Sequence, residues 1–198
     1  MAITAALVKE LRDKTGIGMM DCKQALEQSG GDMDKAIDLL RKKGMAAADK
    51  RAGRAVGEGF IGSYIHSDGK IGVMVELNCE TDFVARNADF RALAKDIAMQ
   101  IAWSNPMCIS RDQVPADVIA KERAIYAEQV KGKPANIVDK IVDGKMVKFY
   151  EEKCLLDQAF VKDPDHKVEQ LVKELAAKTG ERVAVRRFAR FAVGEETK

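Results

Sequence analysis

The sequence predicts an α+β fold. It reads as an N-terminal three-helix module, then a core with a three-stranded antiparallel sheet, packed helices and a projecting helical hairpin. Three observations carry this. Apolar residues recur at helical spacing before Gly44, punctuated by glycines. The turn signal Asp68-Gly69 stands between an apolar run with Ile61, Tyr64 and Ile65 and a β-type alternation from Ile71 to Leu77, and Val183 and Val185 alternate in a third segment. Two long helical runs meet at Gly132-Lys133-Pro134.

The first helix is predicted over residues 3 to 14, with Thr4 as N-cap and Ile3, Leu7 and Leu11 on one face, ending near Thr15 and Gly16. A second helix runs from Met19 to Gln28 with Met19, Cys22 and Leu26 as its apolar face. Met20 lies about 100° off that face and fits no core. Gly30-Gly31 ends this helix, and Asp32 or Asp34 opens a third carrying Met33, Ala36, Ile37 and Leu40, which Gly44 is expected to stop. Residues 1–45 are therefore expected to form the module, and residues 46–56, with Lys50, Arg51 and Arg54, a solvated basic helical linker rather than a nucleic-acid arm.

The core is expected over residues 57–198. It opens with Gly57-Glu58-Gly59-Phe60-Ile61-Gly62, which has dinucleotide-binding spacing, but that motif needs a strand before it and a helix beginning inside it. Ile61, Tyr64 and Ile65 lead instead into Asp68-Gly69, so the glycines start a strand. Ile71, Val73, Val75 and Leu77 alternate along the second strand. The chain then reads NCETDFVARN, Asn78 to Asn87, before Phe90, Leu93, Ala94, Ile97, Ala98 and Ile101 set up a helix to Ser104. Asn87 can cap that helix, and the carboxylates of Glu80 and Asp82 favour its positive end. Neither period claims Phe83, which is either a plug for the local core or a probe aimed outward.

After an apolar patch at Ile109, Pro115 opens a helix to about Lys131, and its return runs to about Lys153. The hairpin, at about 116–153, can set Ile119, Tyr126 and Val130 against Val138, Ile141 and Phe149; the pattern fits a projecting arm and two ordinary core helices equally. A linker with Asp163-Pro164-Asp165 precedes a helix near Lys167 to Lys178. The last strand, Arg182 to Val193, carries Phe188 and Phe191 three apart, a sign of a bulge.

Composition narrows the function. The formal net charge of +2 is too balanced to mark a nucleic-acid binder. No stretch approaches the ~20 apolar residues of a membrane span. Lys9 and Glu10 interrupt the apolar stretch Ala2 to Val8 with no basic segment before it, so a cytoplasmic protein is expected. Cys22, Cys79, Cys108 and Cys154 are scattered without a CxxC pair, so reduced structural thiols are expected and no metal. His66 and His166 sit in turn-like surroundings unsuited to a catalytic base, and no phosphate-cradling GxxxxGK[ST] loop exists. No enzyme activity and no cofactor are expected; the residues describe a binding protein with one conspicuous aromatic.

Two long motifs in order, LRDKTGIGMMDCKQAL (Leu11 to Leu26) and TDFVARN (Thr81 to Asn87), resemble the translation elongation factor Ts family, with the Gly132-Lys133-Pro134 turn and Ala159 to Asp163 extending the likeness. The resemblance implies a guanine nucleotide exchange factor for elongation factor Tu, with an N-terminal three-helix module similar to ubiquitin-associated domains. It implies that Thr81, Asp82, Phe83 and Val84 contact the GTPase and disturb its magnesium site, and that Arg12, Met19 and Met20 hold the nucleotide-binding domain from another side. Long family members carry two core copies and this chain has length for one, so it looks like the short form. A homodimer is an expectation, since three short strands leave edges and faces uncovered. No direct nucleic-acid contact is expected; the competing reading is a ribosome- or RNA-associated protein using Arg182, Arg186, Arg187 and Arg190.

Overall fold

The structure, a computed structural model, describes residues 3–66, 68–132 and 134–196. Ala2, Ser67 and Lys133 of the segments read above lie outside the described residues. In chain order the elements begin with helices α1 (Ala5–Thr15), α2 (Met19–Gln28) and α3 (Met33–Arg51), then strands β1 (Glu58–Ile65) and β2 (Ile71–Cys79). Helices α4 (Asp82–Ala85), α5 (Ala88–Ser104), α6 (Ala116–Gln129) and α7 (Ala135–Lys153) follow. Strands β3 (Ala159–Phe160) and β4 (Asp163–Lys167), helix α8 (Val168–Thr179) and strand β5 (Ala184–Ala192) complete the fold. It is α+β, with a three-stranded antiparallel sheet in the order β1-β2-β5.

One compact unit comprises the residues up to Ile61, Glu76–Ala94 and Gln170–Val185. Its N-terminal helices are cut by local chemistry. The Thr4 hydroxyl accepts the Leu7 N–H at 3.3 Å, and Gly16, at φ +68°, closes α1 by donating to the Arg12 carbonyl at 2.7 Å. Asp32 caps α3 through the Lys35 N–H at 3.0 Å. Val8, Leu11, Cys22, Ala25, Leu26, Ala36 and Leu40 form the buried cluster between the three helices.

The expected stop at Gly44 does not occur: α3 continues for two more turns, to Arg51. A glycine in a helix interior costs roughly 0.5–1 kcal/mol, and here it allows close approach. A Cβ built on Gly44 would stand 2.6 Å from the Cβ of Ala177 on α8, and ion pairs Arg41–Glu174 and Lys173–Asp49 flank the contact at 3.1 and 2.8 Å. Lys50 and Arg51, expected in a free linker, are thus the last residues of a helix packed on α8, and Arg54 lies beyond its end.

A second unit comprises Gly62–Val75, Lys95–Glu169 and the chain from Arg186 on. Here α6 and α7 form the expected hairpin, sealed by Val114, Val130, Val142, Met146 and Phe149 with Ile119, Tyr126, Val138 and Ile141 beside them. The segment read as an Asp-Pro-Asp linker is strand instead. β4 pairs antiparallel with β3, Ala159 opposite Lys167 and Phe160 opposite Asp163. Pro164 has no N–H to give, which a two-stranded ribbon tolerates because each strand has a free edge. The side chain of Gln100 anchors this ribbon. Its amide nitrogen donates to Gln158 Oε1 at 3.0 Å and to the Ala159 carbonyl at 3.2 Å, while its oxygen accepts the Val161 N–H at 2.8 Å.

Candidate functional site

Strand β2 delivers the chain to a single helical turn. Along β2, Val73, Val75 and Leu77 point into the core, and burial continues through Asn78 and Cys79. At Thr81 the backbone is extended, φ −128° and ψ 154°, and its hydroxyl accepts the Val84 N–H at 3.4 Å, so Thr81 is the N-cap of α4. One turn of helix then divides its residues by direction. Val84 and Ala85 are buried and anchor the turn; Asp82 and Phe83 face solvent, Phe83 with 80 % of its surface exposed. The choice left open by the sequence is settled: Phe83 is no core plug. Asp82 pairs with Arg86 one turn on, at 2.8 Å.

The base of this turn is fixed by groups distant in sequence. The Glu181 carboxylate accepts the N–H groups of Glu80 and Thr81, each at 3.0 Å, and the Thr81 hydroxyl at 2.6 Å. In return Glu80 Oε1 accepts the Arg182 N–H at 2.6 Å and the Arg54 guanidinium at 3.2 Å. The Arg182 N–H first, then Arg54, holds the Glu80 carboxyl below the usual carboxylate range. Glu80 therefore serves the strand end rather than the positive end of α5. Asn87 supplies the expected cap there, its side-chain oxygen accepting the Asp89 N–H at 2.8 Å. Beneath the turn the Cys79 thiol donates to the Thr81 carbonyl at 3.1 Å, and burial pushes that thiol up to about 11.

The other group of predicted site residues lies at the turn between α1 and α2. Arg12 is exposed near the end of α1, and Met19 and Met20 are the first two residues of α2. Met20 is 76 % exposed, as its off-face position predicted. Met19, read as part of the apolar face, is also exposed, because Cys22, Ala25 and Leu26 fill the cluster without it. Both groups of residues belong to the same compact unit, and Lys178 of α8 touches the flank of each. Its side chain lies across Gly16, and its ammonium pairs with Asp89 at the start of α5 at 2.7 Å.

The glycine motif carries no nucleotide cradle: strand β1 starts at Glu58, and a Cβ on Gly59 would strike the Leu77 carbonyl. Among the described residues no group of three or more His, Cys, Asp or Glu is placed to hold a metal. No described helix is long and apolar enough to cross a membrane. The four thiols are free and buried.

Residues 48–195 match the family described as Elongation factor TS. Elongation factor Ts of Thermodesulfovibrio yellowstonii is 63 % identical over 196 residues, 98 % of each chain. The chain belongs to the elongation factor Ts family. Elongation factor Ts of Syntrophus aciditrophicus is 58 % identical over 200 residues, covering 100 % of both chains, and that of Geobacter sp. strain M21 is 57 % identical over 197 residues, 98 % of this chain and 91 % of the relative. These relatives are matched over 91–100 % of their own length. Sequence reasoning missed Glu181, whose partners lie about a hundred residues earlier; the only local cue is an acidic residue just after the helix-ending Gly180, at φ +76°.

Proposed function

We propose that the chain is a guanine nucleotide exchange factor that binds elongation factor Tu and promotes GDP release during translation elongation in the cytoplasm. The observation that carries this reading is Phe83, a large apolar side chain held in water on a backbone-anchored turn, in a chain of this family. Exposing a phenylalanine forgoes ~1.5–3 kcal/mol of burial, and an aromatic held outward on an anchored turn is the type of side chain that serves as the anchor of a partner interface. In the proposed mechanism Phe83 enters the GTPase domain while Asp82 beside it disturbs the groups that hold magnesium and phosphate. Thr81 and Val84 support that contact, and Arg12, Met19 and Met20 grip the domain from another side.

Linkage supplies the thermodynamics. A factor that binds the nucleotide-free GTPase better than the GDP form must weaken GDP binding by the same ratio. The chain itself performs no covalent chemistry in this scheme and needs no cofactor; GTP refills the site and displaces the factor. The deciding experiment is release of fluorescent GDP from elongation factor Tu with and without the chain. Acceleration is expected, and an unchanged rate in stoichiometric excess overturns the reading.

The same chain is proposed to form a homodimer. Ile65 and Met74 are exposed on the β1–β2 hairpin, where Ile65 lies over Gly72, and Phe191 and Val193 are exposed at the end of β5. Light scattering at micromolar concentration is expected to give twice the 21.8 kDa chain mass; a monomer throughout removes the proposal.

A further inference from the structure

We propose that Glu181 is a positioning residue for nucleotide exchange, orienting the Thr81 hydroxyl and backbone so that α4 presents Asp82 and Phe83 outward; this rests on the exchange reading above. A four-residue helix cannot hold itself, because its first turn fixes several dihedrals for one hydrogen bond. Something outside it must set its direction. Val84 and Ala85 anchor its inner side, but apolar burial is non-directional.

Direction comes from hydrogen bonds, and here their polarity is forced. The Thr81 hydroxyl has one proton and faces two partners, Glu181 Oε1 at 2.6 Å and the Val84 N–H at 3.4 Å. An ionised carboxylate only accepts and a backbone N–H only donates. The hydroxyl proton must therefore point at Glu181, leaving a lone pair for Val84. Glu181 thus selects the rotor state in which Thr81 can cap α4. Its second oxygen takes the N–H groups of Glu80 and Thr81, which fixes the backbone entering the turn. Charge-assisted bonds of this kind are the stronger and shorter ones.

Glu181 is itself held by the end of α8. The Thr179 hydroxyl donates to the Leu175 carbonyl at 2.9 Å and accepts the Glu181 N–H at 3.5 Å, and the carboxylate of Glu80 on the facing segment ties down Arg182. The two segments exchange carboxylates, so the orientation of α4 is referred to α8 rather than to its own loop.

The test is stopped-flow release of fluorescent GDP from elongation factor Tu, titrated with wild type, Glu181→Ala, Phe83→Ala and the double variant, with melting curves for each. Glu181→Ala is expected to lower the maximal release rate at least about fivefold, with the half-saturating concentration changed by less than about twofold. In the Phe83→Ala background the same change is expected to have a clearly smaller effect, the remainder acting through Asp82, since both substitutions act through one element. A maximal rate unchanged by Glu181→Ala, or an equal drop with and without Phe83, overturns the inference alone. Failure of wild type to release GDP, or of Phe83→Ala to slow release, overturns the parent reading and this inference with it. If Glu181→Ala loses its cooperative melt, Glu181→Gln carries the test. It keeps an oxygen for the two backbone N–H groups but turns an amide N–H toward Thr81. A reduced maximal rate at unchanged melting temperature supports the inference, and a wild-type rate overturns it.

Discussion

Gly44 and Ala177 meet where helix α3 crosses α8: a Cβ on Gly44 would lie 2.6 Å from the Ala177 Cβ and 4.0 Å from its Cα. Alanine has no rotamer with which to retreat, so Gly44→Ala forces the helices apart. Helix propensity favours alanine by about 1 kcal/mol, and overpacking costs about 1–3 kcal/mol. The clash is close to backbone, so packing wins. Gly44→Ala is expected to lower the melting temperature by several degrees, and Gly44→Leu by more. Gly144, inside α7 with nothing within 4 Å of its would-be Cβ, gives the opposite sign: Gly144→Ala is expected to raise it by about 2–4 °C. Differential scanning calorimetry on both variants decides.

The same glycine shows what a sequence can and cannot carry. The cap at Thr4, the left-handed Gly16, the Gly30-Gly31 break, the Asp32 cap and the Asn87 cap are contacts within a few residues, and each was legible. Gly44 looked like one more helix stop because its reason, Ala177, lies far along the chain. Pro164 looked like a linker because its strand partner is a two-residue strand too short to show alternation. At the site, the outward direction of Met20 followed from helical angle alone. That Phe83 was anomalous was visible too, but its exposure was not, since one turn of helix has no period to read. Glu181 is joined to Glu80 and Thr81 by tertiary geometry, and its place just after the helix-ending Gly180 says nothing of those partners.

Gln100 is fully satisfied inside the core, which makes it costly to replace. Gln100→Leu keeps the volume but leaves the Ala159 carbonyl and the Val161 N–H without their side-chain partner. Buried polar groups stripped of a partner cost about 1–3 kcal/mol each, so a fall of about 5 °C or more in melting temperature is expected. A melting temperature equal to wild type would show that water replaces the amide at no cost.

The thiols make stability fall on the alkaline side. Burial pushes Cys79 up to about 11 and Cys154 up to about 12, the latter also beside the Cys108 sulfur at 3.7 Å. In the unfolded chain these groups titrate near 9.0. Between those values the folded state holds protons that the unfolded state has lost, so stability is full below about pH 9 and declines as pH rises toward 11 and 12. Cys79→Ser removes one such group, and the melting temperature should then fall less steeply from pH 8.5 to 10.5 than in wild type. At neutral pH an aromatic disulfide reagent is expected to modify these buried thiols only as fast as the protein unfolds.

Phe83 and Met20 are both exposed, and the proposed function assigns them different kinetic signatures. Cutting a core phenylalanine to alanine would cost ~3–5 kcal/mol of folding stability, whereas Phe83 is 80 % exposed and its loss should leave the melting temperature nearly unchanged. Its contact is used where GDP is displaced, so Phe83→Ala is expected to lower the maximal release rate at least about tenfold. Asp82→Ala should act in the same direction, with a small gain or loss of stability because its pair with Arg86 is solvent-exposed. Met20 sits on the module proposed to grip the GTPase elsewhere, a contact made equally before and after GDP leaves. Such uniform binding raises the half-saturating concentration without touching the maximal rate. Met20→Ala should therefore weaken half-saturation by about three- to tenfold while release at saturation stays at the wild-type rate, the extent set by how much of the methionine the partner buries. A Met20→Ala variant that slows release at saturation as much as Phe83→Ala would mean that the module takes part in displacing GDP, and the division of labour between grip and wedge would be wrong.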